Sequence, residues 1–158
     1  MLAITTFRWF AISAVLIWLD QTTKWLAEFF LEPYQPLPVW PSFNLTLMYN
    51  QGAAFSFLAD AGGWQRWFFM ALSLGVSGTL TLWLWRLPPR HPVEATGLSF
   101  VIAGAVGNLI DRALFGHVID FIQIYYQHWY FPAFNVADSA ITLGVGLLLL
   151  DAVRRTPE

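Results

Sequence analysis

Asp120 and Asp138 are the two residues of this chain best suited to acid–base chemistry. Eighteen residues separate them, with Pro132 between, so no single helix carries both. Two carboxylates about 4 Å apart repel by roughly 4 kcal/mol at an effective dielectric of 20, or about three pKa units, so one stays protonated while the other ionises. The ionised acid can take a proton from water, and the protonated one can polarise a carbonyl and later protonate the leaving amine. This is the chemistry of an aspartic protease.

Asp138 also has a more ordinary interpretation. It falls in the first turn of a predicted helix, where a carboxylate compensates the helix dipole. Asn135, three residues earlier, is a candidate N-cap. That interpretation does not account for Asp120, which follows the preceding apolar segment.

Asp20 and Lys24 are four residues apart and share one face of the first predicted helix. One interpretation is an ion pair at the helix end, from which Lys24 extends outward to water. The other is that the pair also shapes or anchors the substrate site.

Gly104, Asn108 and Asp111 follow at spacings of four and three residues, on one face of another predicted helix. Gly104 allows a second backbone to approach closely. The group could serve helix packing, with Asn108 bonded to a neighbouring helix and Asp111 paired with Arg112 at the interface. It could equally support the site, where the planar guanidinium of Arg112 would hold Asp111 and nearby carbonyls.

The composition is that of a membrane protein. The 158 residues are 57% hydrophobic and 11% charged, against about 25% charged in soluble domains. The length predicts a single domain over residues 1–158. The absence of cysteine excludes disulfides and thiolate chemistry. The three histidines lack zinc-ligand spacing, and no basic cluster indicates nucleic acid, so we expect no metal, cofactor or nucleic-acid partner.

Four apolar segments predict an all-α membrane protein with four transmembrane helices. They are Phe7–Ala27, Trp67–Trp85, Ala95–Leu114 and Asn135–Val153. The first resembles a signal peptide but lacks a small-x-small cleavage site, so we expect it to be retained. Most basic residues lie near the two termini and in the connection between the second and third segments, which predicts that this side is cytoplasmic.

The two long connections, 28–66 and 112–134, should then lie outside the cell. Asn44–Asn50 alternates polar and apolar residues, which predicts a short strand. Gln51 and Gly52 indicate a turn, after which Ala53–Leu58 could pair back. The aromatic stretch from Phe121 to Phe131 is expected at the membrane interface.

Glycines bracket the apolar segment Ala53–Asp60 of the first outer connection: Gly52 precedes it, and Gly62 and Gly63 follow. Glycine permits the backbone angles of a hinge, so the segment is expected to act as a mobile flap over the substrate. A fixed interfacial anchor is the alternative. Asn50, just before the flap, has donors and acceptors suited to an extended peptide.

Two other functions fit parts of the pattern. A serine–lysine protease would have to use Lys24, the one lysine in the chain, and the sequence has no G-x-S-x-G. A non-catalytic transporter would need polar groups through the depth of the bilayer, whereas here they gather at one side.

The chain resembles the lipoprotein signal peptidases (signal peptidase II) of bacterial inner membranes over its whole length. Five motifs carry the resemblance, in the family's order: Asp20–Lys24, Asn50–Ser56, Gly104–Arg112, Val118–Phe121 and Phe134–Ser139.

The resemblance implies a four-helix aspartyl endopeptidase that cuts prolipoproteins just before a diacylglyceryl-modified cysteine, without a cofactor. Its catalytic pair would be Asp120 and Asp138. The supporting, site-shaping positions would be Asp20, Lys24, Asn50, Gly104, Asn108, Asp111, Arg112 and Asn135. Its partners would be lipid-modified prolipoproteins, membrane lipids and a peptide inhibitor such as globomycin. The resemblance also implies a small extracytoplasmic β-cradle, a mobile helix around Ser56–Gly63, and an active site near the outer face.

Overall fold

The computed structural model describes residues 2–52 and 62–154, with side chains from residue 6 onward. These residues are mostly helical and include one small antiparallel sheet, as predicted. The helices are α1 (Leu2–Phe30), α2 (Trp64–Arg86), α3 (Pro92–Leu114) and α4 (Val136–Arg154). The strands are β1 (Leu37–Trp40), β2 (Phe43–Asn50), β3 (Val118–Tyr126) and β4 (Trp129–Tyr130). The predicted pairing of Ala53–Leu58 and most of the predicted mobile helix around Ser56–Gly63 lie outside the described residues.

Three of the helices could cross a membrane by length and composition: α2, α3 and α4. Within the described ranges, α1 does not meet the same criteria. It has 29 residues and carries Asp20, Lys24 and Glu28 in its second half. The structure therefore supports three of the four predicted spans.

Helix α3 is the centre of the bundle. It is largely buried, whereas α2 and α4 leave most of their surface exposed. Small residues let its neighbours approach: a Cβ added at Gly97 would lie 2.9 Å from the carbonyl oxygen of Gly144 in α4. On the α1 side, Ser13 Oγ donates to the carbonyl of Ser99 at 2.8 Å. The close packing of α1 and α4 on α3 brings polar side chains from all three helices together at one end.

The sheet closes that end of the bundle. Its strands run in the order β1-β2-β3-β4, and β2 pairs with β3 so that Met48 lies opposite Asp120. Alternation along β3 turns Ile119 and Phe121 the other way, where they pack with Ala27 of α1. The prediction of a strand at Asn44–Asn50 is confirmed by β2. No strand was predicted at β3, which was expected only as an interfacial segment.

Candidate active site

Asn135 joins the two candidate catalytic acids. Its Nδ2 donates to Asp120 Oδ1 at 2.7 Å, and its backbone N–H donates to Asp138 Oδ2 at 3.2 Å. Asp138 returns a bond from its backbone N–H to Asn135 Oδ1 at 2.9 Å. This reciprocal pair caps α4, as the position of Asn135 predicted. The loop from β3 into α4 thus brings carboxyl groups that are eighteen residues apart to one asparagine.

Each acid accepts a further bond from a neutral amide. Asn50 Nδ2 donates to Asp120 Oδ2 at 3.0 Å, and Asn108 Nδ2 donates to Asp138 Oδ1 at 2.8 Å. Asn108 also accepts from Asn135 Nδ2 at 3.2 Å. Three asparagines from β2, α3 and the start of α4 therefore fix both carboxyl groups without neutralising them.

Burial dominates the electrostatics of Asp120, which is 2% exposed. Burial, followed by the negative charge of Asp138, raises the pKa of Asp120 to about 7, against the opposing effects of the Asn50 and Asn135 hydrogen bonds and of Lys24. The folded protein therefore favours the protonated form of Asp120 at pH values where an exposed aspartate is ionised. A protonated acid beside a second carboxyl group is the condition that acid–base catalysis requires.

Lys24 is the cation of the site. Its Nζ lies 2.8 Å from a carboxylate oxygen of Asp20 and 2.8 Å from one of Asp111, and it donates to Asn108 Oδ1 at 3.1 Å. The predicted pair with Asp20 is confirmed. The prediction that Lys24 extends outward to water is wrong, because its side chain is 2% exposed. Two carboxylates and an amide oxygen surround the ammonium and replace the water contacts that it loses on burial.

Asp20 extends from α1 to the start of α4. Its Oδ1 accepts the backbone N–H of Ala137 at 2.8 Å, which adds a second cap to that helix. Gln21, which was not among the predicted site residues, donates from Nε2 to Asp20 Oδ2 at 3.1 Å and to Asp111 Oδ1 at 2.9 Å. The available signal was an amide side chain between Asp20 and Lys24, in the polar stretch of an otherwise largely apolar helix.

Two glycines of α3 make room for these contacts. A Cβ at Gly107 would lie 2.5 Å from Asp20 Oδ2, and one at Gly104 would collide with the carbonyl oxygen of Ala137. The close backbone approach predicted for Gly104 is confirmed. Any larger residue at either position would push α1 or α4 away from α3.

Arg112 does not pair with Asp111, and that prediction is wrong. Adjacent residues of a helix point about 100° apart, and Asp111 instead accepts bonds from Lys24 and from the backbone N–H of Ile119 at 3.1 Å. Arg112 Nη2 donates to the carbonyl of Gly52 at 2.9 Å, which agrees with the predicted contact to carbonyls. Its guanidinium lies over the ring of Phe69, 5.1 Å from the ring centre.

A cleft of about 510 Å³ gives access to Asp120. Asn50 and Asp120 line it together with aromatic side chains that include Tyr34, Tyr130 and Phe131. The mixture of apolar walls and a few polar groups suits an extended peptide. In the described ranges, no group of three or more histidine, aspartate or glutamate side chains is arranged to hold a metal ion. The structure thus brings the predicted site residues into one network, while their roles remain predictions.

Comparisons with known proteins agree on one family. The family model described as Signal peptidase (SPase) II matches residues 12–154. A lipoprotein signal peptidase of Acinetobacter baumannii is 53% identical over 143 residues, which cover 90% of this chain and 81% of that protein. The lipoprotein signal peptidase of Cellvibrio japonicus is 51% identical over 145 residues, or 90% of this chain and 84% of the relative. A solved structure described as a bacterial membrane enzyme is 30% identical, has a TM-score of 0.82, and covers 96% of this chain and 93% of its own.

Proposed function

The chain belongs to the signal peptidase II family, and from that membership we propose that it is a membrane aspartyl endopeptidase acting through Asp120 and Asp138. Its substrates are prolipoproteins whose conserved cysteine already carries diacylglycerol. It hydrolyses the peptide bond just before that cysteine and releases the signal peptide. Membership of the family makes the chain a peptidase; the dyad and the cleavage position are the parts that we propose.

The observation that carries the proposal is the convergence of both acids on Asn135, with Asp120 in the lining of the cleft. Asp138 lies in the first turn of α4 and accepts N–H bonds from the Asn108 side chain and from the backbone of Asn135. Asp120 has the raised pKa of about 7. We assign the single proton of the pair to Asp120 in the proposed reaction.

In the proposed reaction, Asp138 is the general base of the first step and Asp120 is the general acid. Asp138 removes a proton from a water molecule as the water oxygen attacks the scissile carbonyl carbon, and Asp120 donates its proton to the carbonyl oxygen. The tetrahedral intermediate collapses when Asp138 passes its proton to the departing nitrogen. Asp120 recovers its own proton as the carbonyl re-forms. Both acids end in the states in which they began, so the cycle needs no other proton carrier.

The position of the site suits a lipidated, membrane-anchored substrate. The acids lie where α1, α3 and α4 meet the sheet, at one end of the bundle. Exposed aromatic residues of α1 and of the sheet surround this end, among them Phe30, Trp40 and Trp129. Such rings favour the membrane interface. We place α1 as a fourth span, both termini in the cytoplasm, and the cleft at the extracytoplasmic face, where a lipidated cysteine keeps its acyl chains in the bilayer.

The proposal is tested by replacing each acid with its amide. Asp120→Asn and Asp138→Asn keep the side-chain shape, but an amide can act neither as a general base nor as a general acid. Each variant should therefore lower the rate of cleavage by roughly 10³-fold or more. Asp151→Asn is the matched control, because it makes the same change at the far end of α4. The assay is conversion of a purified diacylglyceryl prolipoprotein, followed by gel mobility and mass spectrometry, with the unmodified precursor as the second control. Substantial turnover by either dyad variant would overturn the dyad.

A further inference from the structure

The first turn of α2 holds the last turn of α3 through Arg66. Its Nε donates to the carbonyl of Arg112 at 2.8 Å, and its Nη2 donates to the carbonyl of Ala113 at 2.8 Å. The last carbonyls of a helix lack intrahelical partners, and a cation there also complements the helix dipole. The planar guanidinium bonds two successive carbonyls at once, so it fixes the direction in which α3 ends.

The same turn of α2 supports the side chain of Arg112. Phe69 follows Arg66 by three residues and presents its ring to the guanidinium, 5.1 Å from the ring centre. A cation over an aromatic face is attracted to it. Arg112 is thus held at its backbone by one residue of α2 and at its side chain by another.

Two further bonds lead from Arg112 to the cleft. Arg112 Nη2 donates to the carbonyl of Gly52 at 2.9 Å, and the backbone N–H of Gly52 donates to Asn50 Oδ1 at 3.0 Å. A fixed Oδ1 leaves Asn50 Nδ2 pointing at Asp120 Oδ2, with a bond of 3.0 Å. A continuous set of contacts therefore connects the start of α2 to Asp120, a candidate catalytic acid.

We infer that Arg66 is a positioning residue that sets the orientation of Asp120, acting through Arg112 and Asn50. The inference rests on the proposed function, since it concerns the acid that the proposed reaction uses. Arg66 bonds neither acid of the dyad, so its effect should fall on the rate of turnover and not on substrate binding.

The pH dependence of cleavage separates this role from a merely structural one. The bond from Asn50 lowers the pKa of Asp120, so an Asn50 side chain that turns away leaves the acid protonated to higher pH. The charged groups that act on Asp120 are Asp138 from α4, Lys24 from α1 and Arg112 from α3. Changing Arg66 removes none of these charges. If Arg112 moved away from Asp120, however, the loss of its positive charge would also raise the pKa of Asp120.

The experiment compares Arg66→Gln with Arg86→Gln, which removes the same charge from the exposed far end of α2. For Arg66→Gln we expect kcat to fall about tenfold with KM within about twofold, and the alkaline limb of the kcat profile to rise by about half to one pH unit. Arg86→Gln should match the wild type. Phe69→Leu keeps the cap on α3 and should change kcat and the alkaline limb in the same directions, but by less. This variant replaces Arg66→Gln in the test if Arg66→Gln folds poorly.

A double-mutant cycle tests the route. In an Asn50→Ala background, Arg66→Gln should change kcat no further and should move the alkaline limb less than it does in the wild type, because the hydrogen-bonded link to Asp120 is already cut. Additive effects would show that Arg66 acts by charge or by general stability and would overturn the inference. So would a lowered melting temperature with an unchanged pH profile. A wild-type protein that does not cleave the lipidated precursor would refute the proposed function instead, so the two failures are distinguishable.

Discussion

Asp120→Asn should make the protein more stable at alkaline pH while it abolishes cleavage. In the folded protein the Asp120 pKa is about 7 instead of 3.8, a rise of about three units. The folded state therefore favours the protonated acid, and the stability that this provides is present below pH 3.8 and is lost as the pH rises to 7. Each unit corresponds to about 1.4 kcal/mol, so ionisation of Asp120 costs the fold roughly 4 kcal/mol above pH 7.

The substitution also has a cost. Both carboxyl oxygens of Asp120 accept an N–H bond, one from Asn50 and one from Asn135. Asparagine offers one oxygen, so one of these donors loses its acceptor, at about 1–3 kcal/mol. That cost does not depend on pH, whereas the gain does. About two of the three pKa units take effect between pH 5 and pH 8. Over that range the free energy of unfolding of the variant should therefore rise by about 3 kcal/mol relative to that of the wild type.

The assay is thermal unfolding of detergent-solubilised protein at pH 5, 6, 7 and 8, with wild type and variant measured together. A gain of about 3 kcal/mol corresponds to roughly 6–12 °C in Tm for a chain of this size. Glu32→Gln, which neutralises an exposed acid, is the control and should track the wild type at every pH. A Tm difference between Asp120→Asn and wild type that stays constant from pH 5 to pH 8 would refute the assignment of a buried, high-pKa acid at this position.

Four other outcomes follow from the site. The kcat/KM of cleavage should fall above about pH 7 as Asp120 loses its proton, in a steady-state pH profile. Gly107→Ala should lower Tm and activity together, because its Cβ would lie 2.5 Å from a buried carboxylate oxygen. The control is Gly146→Ala, whose Cβ would have nothing within 4 Å and which should be neutral or stabilising by about 0.5–1 kcal/mol. Lys24→Met should destabilise by about 3–5 kcal/mol because two buried carboxylates lose their cation, while Arg90→Met at an exposed position should have little effect on the same melt. Exhaustive chelation should leave turnover unchanged, and a loss of turnover restored by zinc would contradict this.

The sequence predicts the helices well because each is a local pattern. The apolar runs near Trp67–Trp85 and Ala95–Leu114 lie within three residues of α2 and α3 at each end. The strand β3 was missed because its pairing with β2 is a contact between distant parts of the chain. Its sequence, Val118–Tyr126, is rich in β-branched and aromatic residues, which fits a strand but also fits a membrane interface.

The site was predictable in its residues but not in its pairings. The types and spacing of Asp120 and Asp138 identify the candidate dyad, since isolated acids in an apolar chain are costly. The burial of Lys24 could not be read from the sequence, because its second carboxylate, on Asp111, belongs to a helix far along the chain. Arg112 was assigned to Asp111 from adjacency alone, and the helical rotation between neighbours separates them.

The shared lysine also bears on how the chain matures in its membrane. During synthesis α1 precedes α3, and the ammonium of Lys24 has Asp20 available on its own helix. Asp111 arrives later and finds its cation only once α3 lies against α1. Until then its carboxylate lacks this partner at the end of a membrane helix, where an unpaired charge is unfavourable. An assembly intermediate with α3 undocked is thus penalised by its own charge, so the cluster couples completion of the bundle to completion of the site.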